Sequence, residues 1–198
     1  MIVRTALIAA ALVAGAATPA VAVTNIIVNG GFEASSTFTG WTGTSTGLNG
    51  FAASSINTNP AYVHTGLQSA TLRTTGANVN TIAQSVATIA ARPYVLTYWL
   101  MNRDNNGSVI DAMTVTSGSN VTAFGDRPSF AYTQFTQYFV ATSASEVISF
   151  AYKHTSPNFY LDDVSVMMVP EPATWGLMVG GFGMLGFAMR RRIRTVAA

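Results

Sequence analysis

Three carboxylates are the residues of this chain best suited to hold a metal ion: Glu33 and the adjacent pair Asp162 and Asp163. A hard cation such as calcium takes several oxygen ligands, with carboxylates among them. The two aspartates fall within a predicted strand, so we expect their side chains to point to opposite faces and only one of them to serve. The alternative is that all three are solvated carboxylates at strand ends.

A second group of residues has the chemistry of a sugar-binding surface. Trp99 offers an aromatic face and Thr97 lies beside it on the same face of a predicted strand, while Gln134 and Tyr138 could contribute from another strand. This platform forms if the Trp99 face is turned to solvent. If that face belongs to the core, the Tyr94 face is outside instead.

The sequence gives little support for catalysis. The two histidines, His64 and His154, have no metal-ligand or nucleophile pattern near them, and the chain lacks cysteine, a Gly-x-Ser-x-Gly elbow and a His-Glu-x-x-His motif. A glycosidase would need two carboxylates flanking one bond, and nothing in the sequence marks such a pair. The sequence therefore predicts a non-catalytic protein, with a glycan-active hydrolase as the less favoured alternative.

Short alternating segments separated by turn residues must position these side chains. They predict an all-β, two-sheet antiparallel sandwich without helices between the chain ends. The predicted strands are 26–28, 69–73, 82–87, 94–101, 109–116, 132–141, 147–152 and 159–168.

Segments distributed over the domain resemble jelly-roll domains of the carbohydrate-binding-module type. Residues 29–33, Asn-Gly-Gly-Phe-Glu, followed by Gly40-Trp41, look like the opening of such a domain, and 66–72, 84–86, 94–99 and 160–166 continue the pattern in order. The resemblance implies first and last strands that are neighbours. In related modules a structural calcium joins the start of the domain to its final strand. By resemblance, Glu33 and one of Asp162 or Asp163 would be its ligands.

The N-terminus has the organisation of a secretory signal peptide. Arg4 precedes an apolar stretch at 6–17, and Ala20 and Ala22 are the small residues of a cleavage site. We expect signal peptidase to cut after Ala22. The alternative is an uncleaved anchor.

The C-terminus combines a proline-rich triplet, an apolar segment and a basic cluster. Pro170, Glu171 and Pro172 end the domain at 168. The 17 residues of 173–189 carry no ionisable side chain, and as a helix they would span roughly 25 Å. We therefore predict a transmembrane helix there, whose arginine-rich end stays on the cytoplasmic side.

This tail resembles the PEP-CTERM sorting signal of Gram-negative bacteria. The shared features are Pro170-Glu171-Pro172, Trp175, the glycines at 180–183 and the closing Arg190, Arg191 and Arg192, with Gly176 where alanine is common. The resemblance implies recognition by an exosortase, removal of the helix, and passage from the inner membrane to the cell surface or extracellular matrix. The alternative is a plain tail anchor.

The net positive charge of the chain comes from its two ends. Arg4 and the four tail arginines are five of the ten basic residues, so the part between the ends holds five basic and seven acidic residues. That balance gives no basis for nucleic-acid binding. The predicted organisation is a signal peptide at 1–22, a jelly-roll domain at 23–168 and a sorting signal at 169–198. The favoured function is an exported surface or biofilm-matrix protein, and the alternative is a glycan-binding module for a polysaccharide.

Overall fold

The computed structural model describes residues 24–44, 53–75, 78–103, 112–125, 128–154, 158–170 and 172–193. Val23–Glu171 form one compact unit, and the tail helix belongs to another. The predicted signal cleavage site at Ala20 and Ala22 and the sorting-signal residue Glu171 lie outside the described residues.

Within these described residues, ten strands form two antiparallel sheets. Sheet A has the order β1-β4-β9-β6-β7 and sheet B the order β2-β3-β10-β5-β8. The predicted all-β, two-sheet antiparallel sandwich is therefore confirmed. The strands are β1 (Thr42–Thr44), β2 (Ser55–Asn57), β3 (Ser69–Leu72), β4 (Asn80–Ala87), β5 (Pro93–Arg103), β6 (Ala112–Ser117), β7 (Asn120–Phe124), β8 (Phe130–Val140), β9 (Ser145–Lys153) and β10 (Asn158–Met168).

The core lies between the two sheets and follows from the alternation of side chains along the longest strands. On β5, Tyr94, Leu96, Tyr98 and Leu100 are buried, whereas the residues between them are partly exposed. The Tyr98 ring meets Phe150 of β9 edge to face, with 5.2 Å between ring centroids. The Tyr94 face is therefore the core face of β5, and the Trp99 face is turned outward.

The start of the domain departs from the prediction of a strand at 26–28. This segment is not assigned to a strand, although it runs beside β10: the Ile26 N–H donates to the Val166 carbonyl, and Asn25 Oδ1 accepts from the Val166 N–H. Asn29 then takes a positive φ of 53°, which turns the chain away. The expectation that the first and last segments are neighbours still holds.

Three strands were absent from the sequence prediction. β1 and β2 have three residues each, too few to show an alternation, and four of the five residues of β7 are exposed. Each is an outer strand of its sheet. Edge strands of this kind bury little on either face, so their sequence carries no period-two signal.

The tail forms one helix, α1 (Pro172–Ile193), which contains the predicted helical segment 173–189. Its described apolar side chains, such as Met184 and Phe182, are largely exposed. Within the described part of the chain, no helix combines the length and the apolar character needed to cross a membrane.

Candidate functional site

The three predicted metal ligands meet at one loop, residues 58–68, which connects β2 to β3. The loop begins with a 3₁₀ turn, Pro60–Tyr62, whose N-cap Asn59 accepts a hydrogen bond from the Ala61 N–H through its side chain. Pro60 at the first position of the turn suits this local geometry, because its ring fixes φ and it lacks an N–H that would need a partner. The loop then crosses the outward face of sheet B, where β10 carries the two aspartates.

Asp162 is fully buried beneath the loop. Its Oδ2 accepts the N–H groups of His64 at 2.9 Å and Thr65 at 3.3 Å, and its Oδ1 accepts the N–H of Asp163 at 2.8 Å. Burial is the main cause that raises the pKa of Asp162 to about 6; the backbone N–H groups oppose this rise, and the neighbouring Asp163 charge contributes to it. The side chain thus fastens the loop to the final strand.

Asp163 also faces the loop, which corrects the prediction that the two aspartates point to opposite faces. Its Oδ2 lies 2.6 Å from His64 Nδ1, and its Oδ1 accepts from the Thr65 hydroxyl at 2.7 Å. The reason is a bulge: the pairing of β10 with β5 shifts between Asp162 and Ser165, and Asp163 has a φ of 47°. A bulge interrupts the simple alternation of a strand.

Glu33 reaches the same loop from the start of the domain. Its Oε1 accepts the N–H groups of Leu67 and Gln68, both at 2.8 Å. Gly31 lies among the three acids: a Cβ at this position would be 3.7 Å from Asp163 Oδ1, 3.8 Å from Glu33 Cγ and 3.9 Å from Asp162 Oδ1. The structure therefore brings the predicted ligands together around one turn.

The carboxylate oxygens of this cluster already accept hydrogen bonds from the protein itself. Each of the three carboxylates accepts at least one hydrogen bond from the loop. Among the described residues, no three His, Cys, Asp or Glu side chains are arranged to hold a metal ion. The predicted calcium therefore stays a prediction.

His64 links the acid cluster to the predicted sugar platform. Its imidazole stacks on the Trp99 ring at 3.8 Å between centroids, with 18° between the planes, and Tyr132 of β8 lies against it at 5.3 Å. The Tyr132 hydroxyl donates to the Tyr62 carbonyl of the loop, and burial raises the pKa of this phenol. Sequence reasoning missed this role because the partners of His64 are distant in sequence.

The four predicted sugar-binding residues lie on one surface, the outward face of sheet B. Trp99 is paired with Gln134, Thr97 with Thr136, and Val95 with Tyr138 across β5 and β8. Because directly paired residues point to the same side, their side chains line one strip. Tyr138 is 65% exposed, whereas Trp99 is half-buried beneath His64.

A cleft of about 300 Å³ continues this strip at the far end of β5 and is lined by Met101, Arg103, Phe130 and Tyr62 among others. The Arg103 guanidinium lies 4.9 Å from the centre of the Tyr62 ring. The strip and the cleft together run along the boundary between β5 and β8.

The second histidine, His154, is structural. It is fully buried, its Nε2 lies 3.0 Å from Asn102 Oδ1, and its ring meets Phe159 edge to face at 4.7 Å. Trp41 is likewise a packing residue: it stacks on Phe32, and its indole N–H donates to the Asn29 carbonyl.

Solved structures similar to the chain define the class of fold. TmCBM61, solved in complex with β-1,4-galactotriose, is 15% identical with a TM-score of 0.54, and the match covers 74% of this chain and 99% of that one. The enzymatically active domain of tailspike protein 4 from bacteriophage CBA120 is 11% identical (TM-score 0.53, 73% and 21% covered). The arabinose-bound α-L-arabinofuranosidase MgGH51 is 13% identical (TM-score 0.53, 73% and 26% covered). The sandwich thus has the jelly-roll fold found in carbohydrate-binding modules, as predicted.

The tail identifies the particular kind of chain. Residues 169–192 match the PEP-CTERM protein-sorting motif, which confirms the resemblance carried by the proline triplet, Trp175 and the arginines. A comparison with curated proteins gave no match. The chain therefore combines a jelly-roll sandwich with a PEP-CTERM sorting motif.

Proposed function

We propose that this is an exported, non-catalytic protein that an exosortase sorts to the cell surface and whose sandwich binds a glycan. Sorting is supported by the motif at 169–192. In this proposal the tail 169–198 keeps the chain at the inner membrane after export, and the exosortase then removes it. A sorted glycan-binding protein of this kind would act in a biofilm or exopolysaccharide matrix.

The observation that carries the glycan proposal is the exposed strip between β5 and β8. Its side chains are an aromatic ring, an amide and hydroxyls, represented by Tyr138, Gln134, Thr136 and Thr97. Rings stack on the apolar faces of sugars, and neutral donors and acceptors match sugar hydroxyls. The strip carries no charge at these positions, so it suits a neutral glycan. Because His64 covers Trp99, Tyr138 is the ring most open to a ligand.

The same chemistry favours binding over hydrolysis. A glycosidase holds two carboxyl groups on either side of one glycosidic bond. In the described part of the strip between β5 and β8 there is no carboxylate, and Asp162 and Asp163 are engaged by the loop. A hydrolase would need acids elsewhere, so it remains the less favoured alternative.

Affinity electrophoresis of residues 23–169 in gels that contain neutral polysaccharides tests this proposal. We expect Tyr138→Ala to lose about tenfold or more in affinity, because aromatic stacking on a ring is worth roughly 1–3 kcal/mol by analogy with bases. Trp99→Ala should also weaken retention and, in addition, loosen the loop that rests on it. Val147→Ala, at an exposed position of sheet A, is the matched control. Equal retention of wild type and Tyr138→Ala would contradict the proposed strip.

We further propose that the acid cluster takes a structural calcium ion. The residues fit in kind, because Glu33, Asp162 and Asp163 are oxygen ligands gathered around Gly31. A bound cation would neutralise these adjacent carboxylates and connect the turn at residues 29–33 to β10. Without the cation, the two segments are connected only through the hydrogen bonds that their carboxylates accept from the loop 58–68.

A further inference from the structure

The cleft at the far end of β5 differs in charge from the strip between β5 and β8. Arg103 is the one charged residue among the described residues that line it, and its neighbours there, such as Phe130 and Ser129, are neutral. Along β5, Trp99 and the His64 ring that covers it lie between the cleft and the exposed tyrosine of the strip. The cleft is therefore a second place on the same face of sheet B, with a positive charge that the strip lacks.

The Arg103 guanidinium is positioned by an aromatic ring. Its central carbon lies 4.9 Å from the centre of the Tyr62 ring, at the distance of a cation–π contact. Among the described residues, no carboxylate pairs with the guanidinium and no acceptor takes a hydrogen bond from it. A guanidinium carries five N–H donors in a fixed fork. These donors are therefore available to a ligand that enters the cleft.

The residue beneath the guanidinium, Tyr62, is itself held firmly in the loop 58–68. Its ring stacks on the Tyr160 ring, with 4.6 Å between centroids and 14° between the planes. Its carbonyl accepts hydrogen bonds from the Ser69 hydroxyl at 2.5 Å, the Tyr132 hydroxyl at 2.9 Å and the Asn57 amide at 3.3 Å. A site whose walls are already ordered loses less conformational entropy when a ligand binds.

The other walls of the cleft have the chemistry of a sugar contact. Met101 and Phe130 present apolar surface, and the Phe130 ring is positioned edge-on against Phe135 at 6.1 Å between centroids. Ser129 is exposed and adds a hydroxyl, which can both donate and accept. A pyranose ring has an apolar face for such walls and hydroxyl groups for such a neighbour. The volume of about 300 Å³ lies at the small end of ligand sites, so the cleft suits a short piece of glycan.

We propose that this cleft binds a carboxylated sugar, a uronic acid unit of a glycan. The carboxylate would accept two parallel N–H bonds from the Arg103 guanidinium, because the fork of donors matches the two oxygens of a planar carboxylate. The sugar ring would lie against Phe130 and Met101. A neutral sugar would leave the guanidinium without an anion, and a simple carboxylate would leave the apolar walls uncovered.

This inference names the class of glycan and rests on the proposed glycan binding, since the cleft and the strip share one face of sheet B. A polysaccharide with uronic acid units among neutral sugars would fit both places. Its neutral units would lie on the strip and a uronic acid in the cleft. The two places are nevertheless tested separately, because Arg103 belongs to one and Tyr138 to the other.

Saturation-transfer NMR titrations of the exported protein, recovered from the surface of a host that expresses the full chain, test the cleft. The probes are methyl glucuronide and methyl galacturonide, which carry both ring and carboxylate, their methyl esters, which lack the charge, and acetate, which lacks the ring. We expect a uronide to bind with a Kd in the millimolar range, as suits a ligand of this size. The matching ester and acetate should each bind about tenfold more weakly, since each loses one half of the recognition.

Variants of Arg103 assign the binding to the cleft. Arg103→Gln should weaken uronide binding by about tenfold, because it removes a charged, two-fold hydrogen bond. Arg103→Lys should recover only part of this loss, because an ammonium keeps the charge without the fork. Arg73→Gln, which removes another exposed arginine of sheet B, is the matched control and should bind as the wild type does.

Three results would overturn the proposal: no saturable binding of either uronide, acetate that binds as tightly as the uronide, or an Arg103→Gln variant that binds the uronide as tightly as the wild type. Retention on neutral polysaccharides is measured on the same variants. A Tyr138→Ala variant that keeps this retention would count against the proposed strip and leave the cleft standing. An Arg103→Gln variant that keeps uronide binding would do the reverse.

Discussion

At the scale of single residues, the surroundings of Asp162 have the largest effect on the site. It is fully buried, it holds the loop to β10, and its charge lies beside that of Asp163. Burial penalises the charged form of a carboxyl group, and an adjacent like charge adds to that penalty. Asp162 therefore fixes the geometry of the site at a cost in stability when it is ionised.

The raised pKa of Asp162 predicts a pH dependence of stability. Because its folded-state pKa of about 6 lies above its ordinary value of 3.8, the folded protein binds more protons than the unfolded chain between these limits, and the free energy of unfolding falls as pH rises through them. Between pH 5 and pH 7, in the presence of a chelator, we expect a fall of about 1 kcal/mol, or roughly 3 °C in Tm.

Thermal unfolding of residues 23–169 at the two pH values measures this fall, with Asp162→Asn as the control that should remove it. Hydrogen bonds from Thr142 and Ser143 lower the pKa of Glu146, which moves its titration away from this window. An equal slope in wild type and Asp162→Asn would assign the pH dependence to another group.

At the scale of elements, the turn at residues 29–33 packs against the last strand, β10, and this contact stabilises the sandwich. The Val164 N–H donates to the Gly30 carbonyl, and Gly30 packs directly against the backbone of Val164. A Cβ at this position would collide with the Val164 carbonyl oxygen. Glycine is required here for close approach of two backbones.

Gly30→Ala is therefore expected to destabilise the domain strongly, by about 3 kcal/mol, since overpacking against an immobile backbone forces the two segments apart. Gly125→Ala is the matched control, because a Cβ there meets nothing within 4 Å. Urea unfolding of both variants measures the difference. Equal midpoints would show that the first turn moves aside without cost.

The loop 58–68 is the second critical element, and calcium binding should stabilise it. An ion that binds the folded cluster and not the open chain adds about 2.7 kcal/mol when its concentration is a hundred times its Kd. We expect a rise of several degrees in the Tm of residues 23–169 with calcium relative to chelator. Glu33→Gln and Asp162→Asn should each reduce the rise.

Two outcomes of that experiment would contradict the site. Equal melting temperatures with calcium and with chelator would eliminate a structural calcium. A rise that survives both substitutions would place the ion away from Glu33 and Asp162.

At the scale of the whole molecule, the chain divides into a folded domain and terminal segments with a separate task. The domain Val23–Glu171 contains the candidate site, whereas the sorting motif occupies 169–192. The proline triplet lies where one ends and the other begins. In the proposed processing, the cut falls after β10, which ends at Met168.

Processing is the prediction that belongs to this scale. If an exosortase removes the helix and signal peptidase removes 1–22, intact-mass analysis of the surface form should show the loss of both ends. Replacing Pro170 and Pro172 with alanine should leave the tail attached, whereas Gly125→Ala should be processed normally. Recovery of mature wild-type protein that still carries Arg190 to Arg192 would favour a plain tail anchor.

The sequence by itself determined the features that depend on local pattern. The alternation along β5, β8 and β10 predicted the sandwich and divided the residues of each strand into two faces, because side chains alternate with every residue of a strand. Which face of β5 belongs to the core was left to the structure. The order of proline triplet, apolar segment and arginines defined the sorting motif, because these features follow one another in a single stretch of sequence. Trp99 was named from its residue type, and Glu33, Asp162 and Asp163 were named as oxygen ligands with the help of the resemblance to carbohydrate-binding modules.

Only the tertiary structure decided how these residues meet. The bulge at Asp163 turned both aspartates to one side, and His64 paired with an acid 99 positions away while covering Trp99. The short outer strands β1, β2 and β7 exist through their pairing with neighbours. Contacts of this kind depend on chain segments that fold against each other over long sequence distances, and no local period records them.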